Sequence, residues 1–273
     1  MTDSTLQISP TVPIRLVTFD LYDTLIELSP TRWDRLGGVL SSLAIPHDTS
    51  RLMIGDLIAE DYWTETNTER PNRERPIAEQ RRIRTEYLRR WLATADVVLG
   101  DDVMAEISAR YRAEYETQVR QAVPGIVEGY RVFEEVTPVM RRLAEAGVMR
   151  AVISNADEDI TAFCERLAFA DEMDLIVTSA TEGWEKPDVR VYQVTLERLG
   201  VRPEEAIHVG DQPRSDVVGA LATGMRVALL DRYGRHDPAA HRVPSVSSLD
   251  ALVDLVLADR VQAERGQVAE VGS

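Results

Sequence analysis

From residue 138 to residue 258 this chain alternates short apolar runs with amphipathic helical stretches, and few folds accept that order. Pro138–Ala146 is spaced as a helix and stops at Gly147, and Arg150–Ile153 reads as a buried strand. A helix over about 158–167, a strand Leu175–Thr178 and a helix Arg190–Leu199 stopped by Gly200 come next. Ala206–Val209 is then a strand, Asp216–Ala222 a helix ending near Gly224, and Arg226–Leu230 a strand. Ser248–Leu257 is a last helix opened by a Ser N-cap. Strands separated by helices run parallel, and a parallel sheet is covered by helices on both faces. The fold class is therefore α/β, with Ile14–Phe19 as one further buried strand.

Between that first strand and the alternating region lie four helical stretches, Pro30–Leu43, Ser50–Thr66, Ile77–Ala93 and Asp101–Val119. They are separated by Pro46, Pro71, Pro76 and Gly100, with no convincing strand among them. A block of helices inserted after a strand reads as a second domain. The expected organisation is a core of residues 13–28 and 121–258, a helical cap of residues 29–120, and flexible tails at 1–12 and 259–273.

Composition narrows the function classes. A net charge of −15 argues against nucleic acid or an anionic membrane as partner. No run of about 18 apolar residues is present to span a bilayer, and residues 1–11 lack the basic flank and apolar stretch of a signal peptide. One cysteine, Cys164, leaves no internal disulfide and no cysteine-based zinc site, so the cytoplasm is the expected compartment. Eight arginines between Arg70 and Arg90 form a local basic excess. With Glu79 and Glu86 at helical spacing they read first as a solvated face, and otherwise as a means of selecting an anionic substrate. Trp33, Trp63 and Trp91 are expected in the core of the helical block. The sequence leaves the oligomeric state open.

In open α/β sheets ligands bind outside the carboxyl ends of the strands. Here those ends carry Asp20, then Ser154 and Asn155, then Lys186, then Asp211 with Asp216. Lys186 is the only lysine beside thirty arginines. A compact ammonium on a slim stem reaches an anion where a planar guanidinium does not fit, so its retention points to chemistry. Carboxylates at two strand ends can share a hard cation such as Mg²⁺, which prefers oxygen ligands. Asp20 is then placed to act as a carboxylate nucleophile on phosphorus. Ser154, the Asn155 amide and Lys186 are donors for the phosphoryl oxygens. His208, in a buried strand, reads as a packing residue, and Trp184 lines the crevice or pins the Lys186 loop.

The segments Phe19-Asp20-Leu21-Tyr22-Asp23-Thr24-Leu25, Val152-Ile153-Ser154-Asn155, Lys186-Pro187 and His208-Val209-Gly210-Asp211 through Asp216 together resemble the four motifs of the haloacid dehalogenase superfamily. The resemblance covers about residues 14–258 and extends to the branch of its domain-containing protein 3. It implies a Rossmannoid core with an inserted four-helix C1-type cap, and Mg²⁺ held by Asp20, Asp211, Asp216 and the Tyr22 carbonyl. It further implies hydrolysis of a small phosphate ester through an aspartyl-phosphate, with Asp20 and Lys186 catalytic and Ser154, Asn155, Lys186 and Tyr22 at the substrate. One departure matters. The phosphatase branch carries Asp where this chain has Tyr22, so the usual general acid is missing, a role worth about 10²–10⁴-fold. Neighbouring side chains in extended backbone point to opposite faces, which argues against Asp23 as a substitute. Tyr at that position also resembles the 2-haloacid dehalogenases, which need no metal. A non-catalytic phospholigand-binding protein is the third reading.

Overall fold

The computed structural model describes residues 12–121, 123, 125–237, 240 and 242–271, with side chains to residue 261. The expected tail over residues 1–11 lies outside the described residues. The chain divides into two compact units, one of residues 1–26 and 132–273 and one of residues 27–131. The sequence had set these divisions at 28/29 and 120/121.

In chain order the strands and helices are β1 (Leu16–Phe19), β2 (Ile26–Leu28), α1 (Arg32–Ser42), α2 (Thr49–Glu69), α3 (Ile77–Thr94) and α4 (Asp101–Arg120). There follow β3 (Tyr130–Val132), α5 (Val136–Glu145), β4 (Met149–Ser154), α6 (Thr161–Arg166), β5 (Leu175–Thr178) and α7 (Ser179–Glu182). The chain continues through α8 (Val189–Leu199), β6 (Ala206–Gly210), α9 (Val218–Thr223), β7 (Arg226–Leu230), β8 (Ser245–Val246) and α10 (Leu249–Val271).

Six parallel strands form the main sheet in the order β5-β4-β1-β6-β7-β8. The chain steps outward from β1 through β4 to β5, then returns to lay β6 on the other side of β1. Strand order therefore reverses at β1, the position at which ligands of doubly wound sheets bind. β1 is buried at all four residues and β6 at all five, as strands covered on both faces must be. Leu16, Ala151, Ile153, Val177, Val191, Tyr192 and Leu229 belong to one continuous core.

Three features differ from the sequence expectation. β2 pairs with β3 in a two-stranded sheet where no strand was expected. These segments are three residues each, too short for periodicity to reveal. The expected helix at Asp216 begins instead with a π-type turn, Pro213–Val217. The last helix runs to Val271, well past residue 257. Its continuation is anchored: Asp259 accepts from Arg226 at 2.8 Å, and Arg260 donates to the Ile14 carbonyl at 2.7 Å.

Within the helical unit, α2 and α3 approach closely at Gly55, where an added Cβ would meet the Trp91 carbonyl at 2.8 Å. Trp91 in turn donates its indole N–H to the Leu52 carbonyl at 2.6 Å. Buried Asp56 holds Arg32 at 2.9 Å, tying α1 to α2, and Arg35 ties α1 to α4 through Gln118 and Tyr111. Trp33 and Trp91 are core residues, whereas Trp63 is only half-buried. Trp63 lines a cavity of about 920 Å³ with Tyr87, Tyr111, Tyr115, Arg81 and Arg84. In the arginine-rich stretch, Arg90 pairs with Glu86 and Arg89 with Asp101 on an exposed face, whereas Arg75 is mostly buried against Glu79.

Candidate active site

β1, β4 and β6 end side by side, and the residues just beyond those ends build the site. Asp20 comes directly after β1 and its backbone N–H donates to the Val209 carbonyl of β6 at 2.8 Å. Asp211 comes directly after β6. Asp20, Asp211 and Asp216 are all buried, and each offers a carboxylate oxygen within 4.8 Å of the others.

Lys186 lies among them, 2% exposed. Its Nζ donates to Asp20 Oδ1 at 2.5 Å and to Asp216 Oδ1 at 2.7 Å. The backbone that carries this ammonium is held by Asn155. The Asn155 side-chain amide donates to the Lys186 carbonyl at 2.9 Å, and its oxygen accepts the Lys186 N–H at 2.7 Å. A side chain at the end of β4 thus clamps both backbone groups of one residue in another loop. The Lys186–Pro187 peptide is cis. Behind it, Gly219 lets α9 press close: a Cβ there would stand 2.6 Å from the Tyr192 ring and closer still to the Pro187 carbonyl. Among the described contacts of Trp184 is Arg190, whose guanidinium lies 4.9 Å from its ring centroid.

Asp216 is the most fully engaged of the three carboxylates. Oδ1 accepts from Lys186 and, at 3.4 Å, from His208 Nε2, while Oδ2 accepts the Gln212 N–H at 2.9 Å. The π-type turn swings it back onto Gln212, and Gly210 leaves room for it. His208 Nε2 faces a carboxylate and so carries the proton, which leaves Nδ1 to accept from the Thr18 hydroxyl at 2.8 Å. With Tyr192 edge-on at 5.1 Å, His208 is a buried packing residue that also orients Asp216. Burial holds its pKa below the ordinary histidine value, so the ring is neutral.

The charges are divided unequally. Burial pushes the Asp20 pKa up to about 7; Lys186 opposes this and Asp216 adds to it. Asp216 is held well below the usual carboxylate range, because Lys186 and then His208 outweigh its burial. Lys186 itself stays firmly protonated, since Asp20 and Asp216 more than reverse the effect of burial. Asp211 is pushed well above the ordinary value by burial and next by Asp23, with Arg235 partly offsetting both.

Asp23 bears electrostatically on Asp211, and the premise of the sequence argument about it does not hold. Alternation requires extended backbone, but Asp23 has φ 57° in a turn, with its N–H on the Ile26 carbonyl at 2.7 Å. The Ser154 hydroxyl is buried at the end of β4 and has no hydrogen-bond partner among the described residues, which leaves it available to a ligand. Tyr22 is half-buried beside the site. Three buried oxygen donors, two of them with raised proton affinity, are a set that a hard divalent cation fits. The sequence analysis missed Arg235 and His236, which reach the site from the loop after β7. The Arg235 guanidinium donates to Asp211 Oδ2 at 3.0 Å and His236 Nε2 donates to the Asp211 carbonyl at 2.9 Å. Nothing local marks either residue; only the side-by-side ends of β6 and β7 bring them in.

Residues 14–224 match the model of a family described as haloacid dehalogenase-like hydrolase. The chain is 31% identical over 132 residues to a bovine (Bos taurus) haloacid dehalogenase-like hydrolase domain-containing protein 3, covering 46% of this chain and 53% of that one. It is 33% identical over 140 residues to a ribulose-1,5-bisphosphate 5-phosphatase of Halopiger xanaduensis, covering 48% and 59%. The match thus spans little more than half the length of these relatives. A crystal structure of an L-2-haloacid dehalogenase superposes with a TM-score of 0.59 at 20% identity, covering 90% of this chain and all of that one, a likeness of fold. Among the described residues no helix is long and apolar enough to cross a membrane.

Proposed function

Because the chain belongs to the haloacid dehalogenase-like hydrolase family, we propose that it is a cation-dependent phosphatase acting on a small phosphate ester. The observation that carries this is Asp211, a second buried carboxylate beside Asp20. Burial, with Asp216 adding to it, already raises the Asp20 pKa to about 7, and a further buried carboxylate does nothing to help an unassisted nucleophile ionise. A nucleophile attacking carbon without a metal gains nothing from such a neighbour. The 33% identity with a phosphatase supports the same side.

Asp20, Asp211 and Asp216, with the Tyr22 carbonyl, would hold Mg²⁺, which when bound offsets the crowded negative charge and favours a phosphoryl group there. An Asp20 oxygen forms a bond to phosphorus as the ester oxygen leaves with its electron pair and takes a proton from solvent water. Water then hydrolyses the aspartyl-phosphate, releasing inorganic phosphate and restoring Asp20. Lys186 and the unpartnered Ser154 hydroxyl supply donors to the phosphoryl oxygens. Asn155 acts through Lys186: its side chain fixes the backbone from which the ammonium reaches Asp20 and Asp216.

One observation favours dehalogenation instead, the Tyr22 that replaces a carboxylate. The deciding assay measures phosphate release from a panel of phosphate esters with Mg²⁺ and with EDTA, beside halide release from 2-haloacids. Phosphate release abolished by EDTA is expected. Halide release indifferent to EDTA, with no phosphate release, would overturn the phosphatase reading.

A further inference from the structure

Lys186 gives its short hydrogen bonds to Asp20 and Asp216, which leaves the third carboxylate of the cluster to another cation. That cation is Arg235. Its guanidinium donates to Asp211 Oδ2 at 3.0 Å, and its side chain is only 2% exposed. The loop that carries it, residues 231–237, is built for this reach. Asp231, where β7 ends, accepts the Arg235 N–H at 2.7 Å and the His236 N–H at 3.3 Å. His236 then holds the Asp211 carbonyl, and the Arg235 guanidinium lies 5.3 Å from the Tyr233 ring centroid.

A hydrogen bond that merely oriented Asp211 could come from a neutral amide. An arginine is different, because it is always charged and cannot lose its proton to make way for another cation. Two cations that share one buried carboxylate repel each other, and water does little to screen them. Moreover, a buried carboxylate with no countercharge is costly, so the ion-free cluster needs this guanidinium.

We propose that Arg235 is a built-in counter-ion of Asp211. It stabilises the carboxylate cluster when no metal is bound, and it lowers the affinity of the site for a divalent cation by competing for Asp211. The proposal rests on the cation-dependent reading above. Its consequence is that ion uptake is an exchange, in which the guanidinium must draw back from Asp211.

The test measures Mn²⁺ binding to substrate-free protein by titration calorimetry, with melting temperatures of the ion-free and Mn²⁺-loaded forms. Arg235→Gln, which keeps a donor but removes the charge, is expected to bind Mn²⁺ roughly 10- to 100-fold more tightly, the order of effect that groups around a metal ligand exert. Its ion-free form should melt lower than wild type and gain more on Mn²⁺ addition. Arg235→Lys keeps a cation beside Asp211 but one that can give up its proton, so its Mn²⁺ affinity should fall between those of wild type and Arg235→Gln. If Arg235→Gln does not fold, Asp231→Asn loosens the loop without touching the cluster and should shift affinity the same way. Unchanged or weaker binding in Arg235→Gln, beside a wild type that binds Mn²⁺, would overturn the counter-ion role and leave the cation reading intact. Absence of binding in wild type and variants alike would overturn both.

Discussion

Gly210→Ala adds one methyl group at the end of β6, and the structure predicts a cost far above its size. The new Cβ would stand 2.8 Å from the Asp216 Cβ and closer still to its carboxylate. Carbon contacts are comfortable near 3.5–4.0 Å, so the Asp216 side chain has to retreat by on the order of 1 Å. That carboxylate accepts from Lys186 at 2.7 Å, from the Gln212 N–H at 2.9 Å and from His208 at 3.4 Å. Hydrogen bonds to charged groups are worth about 1.5–3 kcal/mol each, so losing one or two destabilises by about 2–5 kcal/mol. For a chain of this size that lowers the melting temperature by roughly 5–15 °C. Lys186 loses one of its two anchors, and a displacement of that order costs roughly 10²-fold in turnover. The assay is a thermal melt followed by calorimetry and circular dichroism, with hydrolysis measured well below the lowered midpoint. Gly38→Ala is the control. Gly38 is exposed within α1 with nothing within 4 Å of its added Cβ, so that change should be neutral or stabilise by about 0.5–1 kcal/mol. Wild-type melting and wild-type turnover in Gly210→Ala would refute the packing argument.

Lys186→Arg conserves charge but places a larger planar head in a space only 2% exposed between Asp20 and Asp216. Turnover should fall by roughly 10²-fold or more, and unchanged kinetics would mean that any cation serves there. Asn155→Ala removes both bonds that hold the Lys186 backbone. It should lower kcat by roughly 10- to 100-fold with a smaller change in KM, whereas a pure KM effect would assign Asn155 to substrate binding. Burial, with Asp159 adding to it, pushes the Cys164 thiol up to about 12. The folded protein should therefore resist thiol reagents at pH 8 until denaturant is added, and rapid native-state labelling would contradict this. Since that pKa is raised on folding, the associated stability is full below the ordinary thiol pKa and is lost as pH rises towards about 12.

How much the sequence revealed depended on whether a residue's role was local. Asp20, Ser154, Asn155 and Asp211 stand at or just beyond strand ends, and the period of the surrounding residues locates those ends. Lys186 was legible through its rarity. The alternation assumed for Asp23 fails because its backbone is left-handed. Arg235 was invisible among thirty arginines, since only the alignment of β6 beside β7 brings its loop to Asp211. The extension of α10 escaped for a related reason: polar Asp259 and Arg260 look solvent-facing until β7 and the approach to β1 supply their partners.

The central place of β1 in the sheet has a consequence for the order in which the molecule is made. β1 is synthesised first, yet its neighbour β4 comes only after the whole helical unit, and β6 later still: Thr18 and Ile207, which meet across that pairing, are 189 residues apart. At translation rates of about 5–20 residues per second, roughly 10–40 s separate the emergence of the two. During that time a four-residue apolar strand waits with at least one ladder of N–H and C=O groups unpaired, the condition under which strands join the wrong chain. The helical unit, complete within residues 27–131, can fold during that wait.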